Sequence, residues 1–116
     1  MVQLGLFEAD ELLEEKDLLE HNAKLYTVSK FIYTCSNRSF IKDAIERKDY
    51  KEARKWIHDT CRTFGFAHPK GYSFNGFNGK GIIRYYDNEE IEHYIECTFN
   101  ELSDFLIENY SEAKRI

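Results

Sequence analysis

The stretch GYSFNGFNGKGIIRYYDNEEIEHYIECT, residues 71–98, decides the fold. Gly71, Gly76, Gly79 and Gly81 are four of the six glycines in the chain, a density that a helix does not tolerate. Asn78-Gly79 is a hairpin signal, because a two-residue type I′ turn needs positive φ at both central positions. It places Tyr72–Phe77 on one arm and Gly81–Tyr86 on the other. Asp87-Asn88-Glu89-Glu90 is a second turn. Beyond it Ile91, His93, Ile95 and Cys97 alternate with Glu92, Tyr94 and Glu96, the period of a half-buried strand. A helical reading also fits Ile91, Tyr94, Ile95, Thr98 and Leu102. Thr98-x-x-Glu101, however, is a capping-box pattern that starts a helix only at that point. A meander of two or three antiparallel strands is therefore expected, followed by a C-terminal helix that buries Leu102, Phe105 and Leu106, with Tyr110 beside them.

Upstream the period changes to that of helices. Asp10 opens a pattern with Leu12, Leu13, Leu18 and Leu19, and acidic residues suit the positive end of a helix dipole. A break is expected near His21-Asn22, after which Leu25, Tyr26, Val28, Phe31, Ile32 and Cys35 resume the stripe. Ser36-Asn37 is a turn. Ser39 starts a short helix with Phe40, Ile41, Ala44 and Ile45. Asp49-Tyr50-Lys51-Glu52 is a second capping-box pattern. Its helix carries Ala53, Trp56, Ile57, Thr60, Cys61 and Phe64, with Trp56 expected as a core anchor. Gly65 and Pro69 end it. The fold class is α+β: a helical N-terminal half, a small antiparallel β-meander and a C-terminal helix. Residues 1–8 are expected to form an extended, flexible tail, and residues 9–116 a single domain.

The bulk composition agrees with that reading. A chain of 116 residues, 42% apolar and 16% aromatic, is long enough for a hydrophobic core and unlike a disordered chain. No apolar run approaches a membrane span, and the acidic stretch after Phe7 is unlike a basic leader, so a cytoplasmic location is expected. Three widely spaced cysteines, Cys35, Cys61 and Cys97, do not form a disulfide framework and suit buried positions. The net charge of −5 is unevenly spread. Glu8–Glu20 holds seven acidic residues and one lysine, and Asp87–Glu112 holds nine acidic residues and no Lys or Arg. Arg38–Arg62 holds eight Lys/Arg against five Asp/Glu.

The N-terminus carries the sharpest functional signal. Gln3-Leu4-Gly5-Leu6-Phe7 reads Q-L-x-L-F. It resembles the short peptide by which many bacterial and phage DNA-processing proteins dock on the replicative sliding clamp. In that family the third position is usually Ser or Asp, where this chain has Gly5. The resemblance implies a bacterial DNA polymerase sliding clamp as partner, with Leu4, Leu6 and Phe7 entering an apolar pocket and the Gln3 amide orienting the peptide. The physical logic is that apolar residues at a chain end have nothing of their own to pack on. Equally, those residues can cover the domain's own core. The C-terminal half, from Gly81-Ile82-Ile83-Arg84 to Asn100-Glu101-Leu102, loosely resembles the strand-turn-strand-helix ending of small phage and mobile-element accessory proteins.

The rest of the chain offers little chemistry. His58-x-x-Cys61 is one metal-ligand pair without a second, so no metal is expected. No nucleophile motif or phosphate-cradling loop appears, and the glycines of residues 76–81 suit a hairpin tip. No enzyme activity, cofactor or small-molecule substrate is expected. Nucleic acid is the alternative partner. Lys48, Lys51, Arg54 and Lys55 lie on consecutive helices. Lys80 and Arg84 accompany Tyr72, Phe74, Tyr85 and Tyr86 on the hairpin, a winged-helix-like order in which aromatic rings flanked by cations would stack on bases. Those aromatics would equally serve as the buried face of the sheet. A third class is an acidic inhibitor that meets a basic protein surface through Glu8–Glu20 or Asp87–Glu112. The leading expectation is a non-enzymatic accessory or regulatory protein of bacterial or phage DNA replication or repair.

Overall fold

A computed structural model of the chain describes residues 2–67 and 72–116, with side chains from Glu15 onward. Helix α1 spans Val2–Thr34, α2 Arg38–Glu46 and α3 Tyr50–Thr63. Strands β1 (Phe66–Ala67), β2 (Ser73–Phe77), β3 (Lys80–Tyr86) and β4 (Glu92–Thr98) follow, then α4 (Phe99–Glu108) and the short α5 (Tyr110–Ala113). The strands form one antiparallel sheet in the order β1-β2-β3-β4. The α+β class, with helices first, a meander and a closing helix, is what the sequence indicates.

Each element has a local cause. Asn78 and Gly79 take φ of 51° and 79°, the pair of positive values a type I′ hairpin requires. Asp87 shapes the next turn: its Oδ1 accepts the backbone N–H groups of Glu89 and Ile91, both at 2.9 Å. The capping box at α4 is complete. Thr98 Oγ1 accepts from Glu101 N at 3.0 Å, and the Glu101 carboxylate accepts from Thr98 N at 3.3 Å. At α3 only half of the expected box forms: Asp49 caps Glu52 N at 3.2 Å, while the Glu52 carboxylate turns to Arg47 and Trp56. One cap bond is enough to start that helix.

Three elements differ from the sequence reading. Helix α1 is continuous from Val2, without an extended segment over residues 2–8 and without a break at His21-Asn22. Neither residue is a strong breaker, and His21 gains an edge-on contact with Phe105, ring centroids 5.3 Å apart. Strand β1 is an addition. Two residues are too few to show a period, but Phe66 packs on Tyr26 and Phe74 and so brings its backbone alongside β2. Finally, Ile91 belongs to the turn and is exposed, so β4 begins at Glu92.

The core lies between the helices and one face of the sheet. Val28, Phe31, Ile32 and Cys35 form the buried stripe of α1, with Ile41 and Ala44 from α2 and Ala53, Ile57 and Cys61 from α3. The sheet contributes Phe74, Ile83, Tyr85 and Cys97, and α4 contributes Leu102 and Leu106. Register explains the sheet's share: Phe74, Ile83 and Ile95 stand in one cross-strand row, and Gly76, Gly81 and Cys97 in the next. Trp56 is half-buried and not the core anchor the helical stripe implied. Its ring stacks on exposed Phe40 at 4.6 Å, and Ile57 takes the fully buried place.

Candidate interaction surface

The side chains of Gln3, Leu4, Leu6 and Phe7 lie outside the described residues, although the backbone there belongs to α1. The expected nucleic-acid contacts separate into two groups that do not converge. Lys48 occupies the α2–α3 turn with φ of 60°, and Lys51, Arg54 and Lys55 lie on the first turns of α3. Lys80 and Arg84 lie on β3 at positions that alternate with buried Gly81, Ile83 and Tyr85. They therefore point to the sheet face opposite the helices.

Most of these cations already have an internal role. Arg54 forms a fork to Asp104 of α4, with N–O distances of 2.7 and 3.2 Å. Lys80 lies 3.8 Å from the Glu96 carboxylate on the neighbouring strand. Lys55 sits over the Trp56 ring at 5.2 Å, and Arg84 over Tyr86 at 5.9 Å. Arg47 meets Asp43, Asp49 and Glu52, and its hydrogen bonds to Asp43 and then Glu52 push its pKa further up. Lys48 and Lys51 make no ion pair among the described residues.

The aromatic residues sort by strand parity. Phe74 and Tyr85 are buried, and half-buried Tyr72 stacks on Tyr26 with centroids 4.7 Å apart. Of these four aromatic residues only Tyr86 faces outward, at 38% exposure. The sheet's outer face instead presents Phe77 and Tyr94, each 65% exposed, with half-buried Ile82 between them. The alternation of the sequence held that information once Phe74 was placed inside. Glu92 accepts hydrogen bonds from the Tyr86 and Tyr94 hydroxyls, which pushes the Tyr94 pKa up.

The remaining candidate chemistry is sparse. His58 faces the edge of Phe99 at 5.8 Å, and Cys61 is buried, its thiol pushed up to about 12 by desolvation. Among the described residues no three His, Cys, Asp or Glu side chains converge on a metal-sized site. Asp87 and His93 pair at 2.8 Å, with Tyr85 stacked on the imidazole at 5.2 Å. This pair locks the β3–β4 turn, and the His93 hydrogen bond is the main reason the Asp87 carboxyl sits below the usual carboxylate range. No described helix is long and apolar enough to cross a membrane. No protein-family model matches the chain, and neither a curated protein nor a solved structure matches it.

Proposed function

We propose that the chain is a non-enzymatic, cytoplasmic accessory protein of bacterial or phage DNA replication or repair that docks on the sliding clamp through Gln3-Leu4-Gly5-Leu6-Phe7. The observation that carries this reading is the motif itself, four of five positions of Q-L-(S/D)-L-F at the start of the chain. To enter a pocket on another protein, the first turns of α1 have to unwind. Gly5 favours that step by about 1 kcal/mol relative to alanine, and helix ends cost little to open. Leu6 and Phe7 then supply the apolar anchor, and Gln3 the oriented hydrogen bonds. The α+β body is the part that is recruited to the clamp or that blocks it.

The DNA-binding alternative draws less support from the geometry, because Arg54 and Lys80 face carboxylates and two cation groups lie on different faces. The test is calorimetric titration of the full chain against a bacterial sliding clamp. Binding that is lost on joint Leu6→Ala and Phe7→Ala replacement, in a protein that keeps its thermal midpoint, supports the reading. Gln3→Ala should weaken binding by about 1–2 kcal/mol. Absence of binding at high micromolar concentration refutes it.

A further inference from the structure

The two edges of the sheet are treated differently. The β1 edge is two residues long, the usual way of blunting an edge strand. The β4 edge has seven residues and pairs with β3 alone among the described elements. Its register with β3 runs without a bulge from Tyr86↔Glu92 to Lys80↔Thr98, and it contains no proline. Nothing in its backbone therefore prevents one more strand from pairing with it.

The side chains on either side of this edge have a definite character. On the outer face are Glu92, Tyr94 and Glu96, all exposed, with Lys80 of β3 3.8 Å from Glu96 and Arg84 of β3 opposite Tyr94, so that Glu92 is the carboxylate without a cation among the described residues. On the inner face, half-buried Ile95 packs on the core, and a groove beside Cys97 is lined by Phe105, Glu101 and Glu108 with Lys24. A strand added here presents alternate side chains to these two surfaces. Positions facing out meet carboxylates and a tyrosine ring; positions facing in meet Ile95 and Phe105.

We infer that β4 is a docking edge for an extended basic segment of another protein, with Lys or Arg alternating with aliphatic residues, which adds a fifth strand to the sheet. Charge complementarity selects this occupant. A second copy of the chain is disfavoured by the same charges. Symmetric antiparallel pairing centred on Tyr94 sets Glu92 opposite Glu96 of the copy, and centring on Ile95 makes them diagonal neighbours, both repulsive. Glutamates on an edge also serve to prevent aggregation, but an edge built only for that purpose gains nothing from a tyrosine 65% exposed at its centre. This inference is independent of the clamp reading.

The test uses the full chain and three synthetic nine-residue peptides: alternating Lys and Val, alternating Glu and Val, and the Lys/Val peptide with its central residues replaced by proline. Binding is read by amide chemical shifts and hydrogen exchange. Expected are micromolar binding of the Lys/Val peptide, slowed exchange within residues 92–98, and at least tenfold weaker binding of the other two. Joint Glu92→Lys and Glu96→Lys replacement should reverse the preference between the Lys/Val and Glu/Val peptides, each by about tenfold, as expected when two cross-strand charge pairs change sign. Equal binding of the proline peptide means adhesion to an acidic surface and overturns the inference. So does the absence of protection in β4, or concentration-dependent protection of β4 without peptide, which would assign the edge to a second copy.

Discussion

Replacing Gly76 by alanine tests whether the sheet and α3 pack as closely as the structure states. Gly76 lies on the inner face of β2, and its φ is not positive, so its backbone would accept any residue. The obstacle is spatial. A Cβ built on Gly76 would lie 1.9 Å from the Cys61 carbonyl oxygen and 3.0 Å from its carbon. That carbonyl belongs to the last turn of α3 and cannot rotate aside as a side chain does, so strand and helix must separate by more than about 1 Å. Overpacking of ordinary cores costs about 1–3 kcal/mol, and a backbone obstacle places this variant at about 3 kcal/mol or more. Reduced freedom of the unfolded chain offsets about 0.4–1 kcal/mol of it. Gly79→Ala is the internal control: its φ of +79° is strained for alanine, but nothing lies within 4 Å of the added atom. It should cost about 1–2 kcal/mol. Gly81→Ala should fall between the two, because its Cβ would meet the movable ends of Phe74 and Leu102 at 2.5 and 2.7 Å. Urea unfolding monitored by Trp56 fluorescence gives all three values, provided the slopes agree. A Gly76→Ala loss no larger than that of Gly79→Ala would refute the packing of β2 on α3.

Trp56→Ala should cost roughly 1–2 kcal/mol, and Phe31→Ala roughly 3–5 kcal/mol, because the first ring is half-buried against Phe40 and the second fully enclosed. Equal losses in urea unfolding followed by circular dichroism, since Trp56 is the chain's single tryptophan, would restore Trp56 to the core. Asp87 has a depressed folded pKa, so its contribution is complete above the unfolded value of about 4 and is lost as pH falls through the folded one. Asp87→Asn should therefore lower the thermal midpoint at neutral pH and flatten its decline as the pH falls below about 4; an unchanged acid limb would count against the Asp87–His93 lock. The three free cysteines are buried, and desolvation raises their pKa values, that of Cys61 to about 12. Ellman's reagent at pH 8 should accordingly modify the native protein slowly and all three thiols promptly in denaturant, and prompt native labelling would show that the interior opens.

The meander was legible because its signals are local. Asn78-Gly79, the Asp87 turn and the Thr98 capping box each act through a backbone group within four residues. The helical stripes of α2 and α3 were legible for the same reason, being set by a fixed period. What was lost depended on partners distant in sequence. His21 stays helical against Phe105, and Phe66 becomes a strand against Tyr26 and Phe74. The sequence left the aromatic face open because a run such as Tyr85-Tyr86 places one ring on each side, and only packing decides which. With Tyr85 inside, Tyr86, Tyr94 and Phe77 follow outside by parity.

The charges divide the surface in a way that the net value conceals. In the basic middle segment Arg47 faces three carboxylates, Arg54 faces Asp104, and Lys42 and Lys55 lie over the rings of Tyr33 and Trp56. Lys48 and Lys51 make no ion pair among the described residues, so the positive potential that could attract a phosphate backbone is reduced there and not removed. In the acidic C-terminal segment Glu96, Asp104 and Glu112 face a cation or imidazole, Glu101 caps α4 and Asp87 holds its turn. Glu89, Glu90 and Glu108 make no ion pair among the described residues, and Glu92 meets only tyrosine hydroxyls. Uncompensated negative charge therefore gathers at the β3–β4 turn, at Glu92 and at Glu108. A negative field steers a basic partner and is screened over about 8–10 Å at physiological salt. The motif at the N-terminus offers the opposite chemistry: apolar anchors whose contribution depends little on salt. Under the proposed function the two surfaces thus call for two different partners, one held by leucine and phenylalanine and one drawn by glutamate.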